Sequence, residues 1–252
     1  MAEDAAGRRF GAVTREGTRE GAVGIDPEAA RRIQRDYGAW ATVYDWFARA
    51  TASVGGVRAS CVAALDLAPG DTVVEFGCGP GVNLPALRET VGPTGRVVGV
   101  DITGPMLRRA RALIERRGWE NVHLVCGDAT TLPVSAADGV LATFVTSLFD
   151  APDAVVSQWC GLADSVVVTN FAPRGSRAAN AALWAFTRLN ARLFDVEGDG
   201  ALTTLDERTA TSRRALATQM ETTERERFVL GTITLCAGRR VGSEGQPGED
   251  GV

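Results

Sequence analysis

Lysine is missing from this chain: all 27 basic residues are arginine. That absence excludes a P-loop lysine, a pyridoxal Schiff base and a kinase-type phosphate lysine. Its plainest cause is a compositional bias, not a functional demand. Histidine is nearly missing as well. His123 stands alone, so a two-histidine zinc motif cannot be built, and the chain has no Gly-x-Ser-x-Gly elbow; neither a metal site nor a serine hydrolase is expected. His123 falls in the middle of an expected strand, where a core or edge place suits it better than catalysis. The five cysteines, Cys61, Cys78, Cys126, Cys160 and Cys236, include no Cys-x-x-Cys pair and are odd in number. They read as reduced, mostly buried small hydrophobes of a cytoplasmic protein. No apolar run reaches the length of a membrane span, and the polar N-terminus lacks a signal-peptide core, so neither spanning nor export is expected. With a net charge of −4 and a pI near 5.2, the chain has no overall attraction for phosphate backbones, and nucleic acid is not an expected partner.

The most informative stretch runs from Thr72 to Asn83, Thr-Val-Val-Glu-Phe-Gly-Cys-Gly-Pro-Gly-Val-Asn. Val73, Val74 and Phe76 are β-branched or aromatic residues between Gly70-Asp71 and a glycine cluster, the signature of a short buried strand. Gly77, Gly79 and Gly81 follow at alternate positions. They predict a tight turn that a nucleoside ligand can approach closely, with a helix beginning near Val82. A dinucleotide fingerprint would need its third glycine at position 82, which is Val82. Val97-Val98-Gly99-Val100-Asp101 reads as a second strand ending in a carboxylate, 20 residues beyond Gly81. A doubly wound fold places there the acid that accepts from ribose hydroxyls.

The pattern Glu-x-Gly-x-Gly-x-Gly, with Glu75 inside the strand, resembles the first motif of class I S-adenosylmethionine-dependent methyltransferases, and the resemblance runs from about Asp36 to Arg239. A second likeness lies at Asp36-Tyr37-Gly38-Ala39-Trp40-Ala41-Thr42-Val43-Tyr44-Asp45. It is similar to the segment preceding the fold in quinone-biosynthesis C-methyltransferases and phospholipid N-methyltransferases. It departs from them in placing the acid before Tyr37 and Gly38 after it. The resemblance implies S-adenosylmethionine as cofactor, with Tyr37 and Tyr44 near the sulfonium. It implies further contacts from Glu75, Gly77, Cys78, Gly79, Gly81, Asn83, Asp101, Ile102, Met106 and Thr143. It also sets Asp128 and Ala129, in the Gly-Asp-Ala turn after the third strand, beside adenine. No Asn-Pro-Pro-Tyr follows the fourth strand, which argues against methylating the amino groups of nucleic-acid bases.

Strands alternating with helical stretches predict an α/β, Rossmann-like, doubly wound and mainly parallel seven-stranded sheet with an antiparallel closing hairpin. Expected helices cover about 57–67, 82–91, 106–114, 152–162 and 206–218. Expected strands cover 72–76, 97–101, 121–126, 138–145, 165–170, 222–228 and 231–237. Residues 1–25 and 241–252 are read as disordered, 26–68 as a helical cap carrying the aromatic face of Tyr37, Trp40 and Tyr44, and 173–205 as a lid insertion containing an apolar helix, Ala178 to Phe194. The expected acceptor is small and apolar or lipid-like, a quinone precursor or a phospholipid head group. The aromatic faces have a plain alternative as packing or dimer contacts. Peripheral membrane contact, the oligomeric state and the general base stay open, Asp45 and Asp150 being available carboxylates with ordinary surface or capping roles. A cofactor-binding domain without transfer activity and a nicotinamide oxidoreductase are the competing functions.

Overall fold

The computed structural model describes residues 56–172, 180–181 and 201–240. The expected N-terminal helix with Tyr37, Trp40 and Tyr44, nearly all of the helix expected at Ala178–Phe194, and both expected disordered ends lie outside the described residues.

The described chain opens with helix α1 (Val57–Ala63), then strand β1 (Thr72–Phe76), α2 (Leu84–Val91), β2 (Arg96–Asp101), α3 (Gly104–Arg117), β3 (Val122–Cys126) and β4 (Ala137–Thr143). A 3₁₀ turn (Thr146–Leu148) precedes α4 (Pro152–Leu162), β5 (Ala163–Phe171), α5 (Ala201–Gln219), β6 (Thr222–Phe228) and β7 (Ile233–Arg239). The seven strands form one sheet in the order β3-β2-β1-β4-β5-β7-β6. Pairings among the first five are parallel, while β7 runs antiparallel to both β5 and β6. This is the predicted architecture, closing hairpin included.

Several boundaries differ from the sequence reading: α1 ends at Ala63, not near residue 67, and α3 runs Gly104–Arg117, longer at both ends than the expected 106–114. Helix α2 starts at Leu84, not near Val82, because the turn carries on to Asn83 before Pro85 enters the first helical turn. Helix α5 starts at Ala201, inside the expected insertion 173–205, and not near residue 206.

Alternation along the strands sends side chains to opposite faces. Val73, Val97, Leu141 and Val167 join Cys61, Leu84, Leu87, Met106 and Ala110 in one core, beneath α1, α2 and α3. Val74, Val98, Val140 and Val166 join Val155, Val156, Trp159 and Leu216 in the other, beneath α4 and α5. Strand order reverses between β1 and β4, and it is at such a switch point, beyond the carboxyl ends of the strands, that an open α/β sheet leaves a crevice.

Candidate functional site

The crevice is a cleft lined by the turn after β1 (Gly77, Gly79), the end of β2 and start of α3 (Val100, Asp101, Ile102, Thr103, Met106), the turn after β3 (Gly127, Ala129) and the stretch from Thr143 to Phe149 after β4. The three glycines after β1 do three different things. A Cβ on Gly77 would lie 2.8 Å from Cγ2 of Val145, so this glycine lets the β1 and β4 turns meet. A Cβ on Gly81 would lie 2.7 Å from Cδ1 of Leu84 and 3.2 Å from Cβ of Ala110, so this one lets the turn pack under α2 and α3. At Gly79 a Cβ would meet none of the described residues within 4 Å, and φ is +54°. Gly79 is therefore the position where backbone faces open cleft.

Asp101 ties this turn to β2. Its Oδ2 accepts from the Gly79 N–H at 2.8 Å and its Oδ1 from the Thr103 N–H at 2.8 Å. Burial raises its carboxyl above the usual range, opposed by these hydrogen bonds and by the Thr103 hydroxyl. Thr103 is thus the N-cap residue of α3 by position, with its hydroxyl turned to Asp101 and no side-chain cap to the helix.

Behind the turn lies a buried polar group. Asn83 donates through Nδ2 to Glu75 Oε1 at 2.5 Å and to Thr143 Oγ1 at 3.2 Å, and its Oδ1 accepts from Arg58 of α1 at 2.5 Å. Glu75 is 1% exposed, and its Oε2 has no partner among the described residues. Burial pushes this carboxyl up to about 8, against the opposing pull of Asn83 and Arg58. An acid whose value is raised on folding contributes stability that is complete below its ordinary value near 4.5 and is lost as pH rises through about 8. Urea unfolding across that window should show wild-type stability falling with pH. Glu75→Gln should flatten the fall by up to about one proton and stabilise the alkaline end by about 1–3 kcal/mol. Parallel slopes for the two proteins would place the titration elsewhere.

The far wall of the cleft is apolar. Phe144 holds φ at +61°, unusual for a bulky residue, and stacks on Phe171 with ring centroids 4.6 Å apart. That left-handed step ends β4 and carries Val145 onto Gly77. Trp159 of α4 supports the opposite wall: its Nε1 donates to the Ala129 carbonyl at 2.9 Å, and its ring stacks on Phe76 at 4.9 Å.

Of the predicted site residues, Gly77, Gly79, Asp101, Ile102, Met106, Ala129 and Thr143 line the cleft. Glu75 and Asn83 stand behind it, and Gly81 supports helix packing. Cys78 is buried, its Sγ 2.9 Å from where a Cβ on Gly99 would sit, so its side chain turns under the loop toward β2. Asp128 has Oδ1 occupied by the Thr130 N–H at 2.9 Å, and its neighbours Gly127 and Ala129 form the wall. Asp150 is an exposed partner of Arg208 at 2.8 Å, and His123 lies exposed on the edge strand β3. Sequence reasoning missed Thr103, Leu148 and Phe149 as lining residues. It also missed the supporting Trp159 and Arg58, whose roles come from helices folding back over strand ends.

A glycine turn, an acid on the neighbouring strand and a cleft at the switch point define a nucleoside-binding Rossmann-like protein. A family profile described as a methyltransferase domain matches residues 73–163. The phosphatidylethanolamine N-methyltransferase of Cereibacter sphaeroides is 35% identical over 147 residues, which are 55% of this chain and 67% of that protein. On that likeness the chain belongs to the S-adenosylmethionine-dependent methyltransferases. Nocamycin O-methyltransferase of Saccharothrix syringae is 36% identical over 39% of this chain, which spans 36% of that enzyme; two further curated relatives are spanned over 20% and 18% of their length. Among solved structures, an Aquifex aeolicus S-adenosylmethionine-dependent methyltransferase shares the fold at TM-score 0.52 and 15% identity, over 86% of this chain and 100% of that one.

The residues present fit the family's cofactor. Gly79 offers a cradle that any side chain would fill, Asp101 presents a carboxylate to the cleft beside that turn, and the wall beside Thr143 is apolar. No described helix is long and apolar enough to cross a membrane.

Proposed function

We propose that the protein transfers a methyl group from S-adenosylmethionine to a small, apolar or lipid-like acceptor, a quinone precursor or a phospholipid head group. The observation that carries this reading is the cleft itself: one wall is an open glycine backbone joined to a carboxylate, and the other is Phe144, Val145, Leu148 and Phe149. S-adenosylmethionine supplies a methyl group activated on a sulfonium. The chain's task is then to hold two reactants in line and keep water out. Asp101 orients the ribose, Gly79 lets the ligand approach the backbone, and the apolar wall excludes solvent. Tyr37, Tyr44 and the expected lid enter this proposal as further walls of the acceptor site. The relatives support the acceptor class by their names alone, which include a phospholipid N-methyltransferase and O-methyltransferases.

A second reading, a cofactor-binding domain without transfer activity, is favoured by one feature. Among the described lining residues, Asp101 is the sole ionisable side chain, and it is held by the turn. Calorimetric titration with S-adenosylmethionine and NAD identifies the cofactor. Production of S-adenosylhomocysteine on incubation with lipid and quinone extracts separates enzyme from binder. We expect S-adenosylmethionine binding and extract-dependent turnover; preference for NAD would overturn the reading.

A further inference from the structure

Strand β6 sorts its charges by side. Arg225 stands opposite Cys236 of β7, which belongs to the core beneath α4 and α5. Glu224 and Glu226 stand opposite Ala237 and Leu235, which belong to the core beneath α1, α2 and α3. Because side chains alternate along a strand, Thr223 and Arg225 face α5 while both glutamates face away from it. Between α5 and β6 lies a groove of about 320 Å³, lined by Arg213 and Arg214 of the helix and by Thr223 and Arg225 of the strand. Its floor is Leu216 and Cys236, 1% and 5% exposed. Glu224 borders the groove as part of the strand, but its side chain belongs to the other face. The guanidiniums of Arg225 and Arg213 reach the same sulfur from two elements: burial raises the Cys236 thiol, and these two cations pull the other way. Arg214 is held beside them, donating to Thr211 Oγ1 at 2.7 Å. Three cations over an apolar floor repel one another and focus a positive field into the groove, in a chain whose net charge is −4.

We propose that this groove binds a phosphate group, carried by a small molecule or by a lipid headgroup, between Arg213, Arg214 and Arg225, with the Thr223 hydroxyl as a further donor. The groove shares no lining residue with the cleft, so the site stands apart from the methyl-transfer reading. The donor set suits phosphate better than a carboxylate. A phosphate group brings more acceptor oxygens and up to two negative charges, and the planar fork of a guanidinium matches a pair of its oxygens. A bound dianion also relieves the mutual repulsion of the three arginines, which the segregation of Glu224 and Glu226 to the opposite face leaves standing.

Calorimetric titration of the full chain with inorganic phosphate at fixed ionic strength tests the site, with acetate as a singly charged control. Phosphate should bind about tenfold or more tightly than acetate. Arg213→Gln and Arg225→Gln, on different elements, should each weaken phosphate by about 3–10-fold, the range expected of charge-assisted bonds in an open groove. Arg111→Gln, exposed on α3, removes the same charge outside the groove and should leave phosphate affinity within about twofold. S-adenosylmethionine affinity should be unchanged in all three variants. Co-sedimentation with phosphatidylcholine vesicles, with and without phosphatidic acid, then identifies the carrier. Recruitment by phosphatidic acid that inorganic phosphate displaces assigns a lipid headgroup; phosphate binding without recruitment assigns a small molecule. A wild-type chain that does not bind phosphate overturns the proposal, whatever S-adenosylmethionine does in the cleft. An equal loss in Arg111→Gln, or no loss in either groove variant, reduces the effect to net charge and overturns it as well.

Discussion

Gly79→Val is expected to abolish S-adenosylmethionine binding in a chain that still folds, whereas Gly81→Val should cost stability first. The two glycines stand two residues apart in one turn, and both have positive φ, +54° and +84°. What separates them is the space beyond the missing side chain. At Gly79 a Cβ meets no atom of the described residues within 4 Å. The substitution therefore strains the backbone by about 1–3 kcal/mol and fills the cleft with two methyl groups. Affinity should fall more than about 100-fold, since the ligand loses both the close approach and the turn's geometry. At Gly81 the same side chain runs into Leu84 and Ala110, 2.7 and 3.2 Å away. Overpacking adds to the φ strain there, and a loss of about 2–4 kcal/mol is expected, with binding reduced only through the unfolded fraction. Urea unfolding and calorimetric titration of both variants check the pair. Near-normal binding by Gly79→Val would show that the ligand passes elsewhere.

That difference marks how far the sequence could be read. The spacing of Gly77, Gly79 and Gly81 announced a tight turn at a strand end, and Asp101 at the end of the next strand made the turn a nucleoside site. Both are local patterns of periodicity and special residue types, which survive folding unchanged. Which glycine faces the cleft is decided by Val145, Leu84 and Ala110, residues from the β4 turn, α2 and α3 that no local rule brings together. Arg58 was invisible for the same reason: it lies 25 residues from Asn83, on a helix that reads as plain packing. Thr103 stands at the N-cap position of α3 without a side-chain cap, its hydroxyl bonded instead to the buried Asp101 carboxylate two residues back, a pairing that no helix signal announces. The aromatic segment around Tyr37 and Tyr44 and the helix expected at Ala178–Phe194 belong to the proposal for the acceptor site, since they lie outside the described residues.

Asp101 carries the other large effect: its carboxylate holds the turn, and in the proposed site it also serves the ligand. Each oxygen already accepts a backbone N–H, Gly79 on one side and Thr103 on the other, both at 2.8 Å. A carboxylate has lone pairs left for ribose hydroxyls. Asp101→Asn must turn an NH2 toward one of the two backbone donors, so it sets donor against donor in a partly buried place. Asp101→Ala leaves both N–H groups without this acceptor, at about 1–3 kcal/mol each, and removes the ribose contacts at a similar cost. Either variant should bind S-adenosylmethionine about 10–1000-fold more weakly, and Asn should offer little rescue, which a purely ligand-facing residue would not predict. The pH dependence supplies a second readout. Burial raises this carboxyl, and ribose hydroxyls favour its ionised form. Affinity should therefore be complete on the alkaline side and decline as pH falls, beginning above the range where an ordinary aspartate protonates. In Asp101→Asn that decline should vanish from calorimetric titrations run from neutral to acid pH. An Asn variant with wild-type affinity would mean that neither the turn nor the ribose depends on the charge.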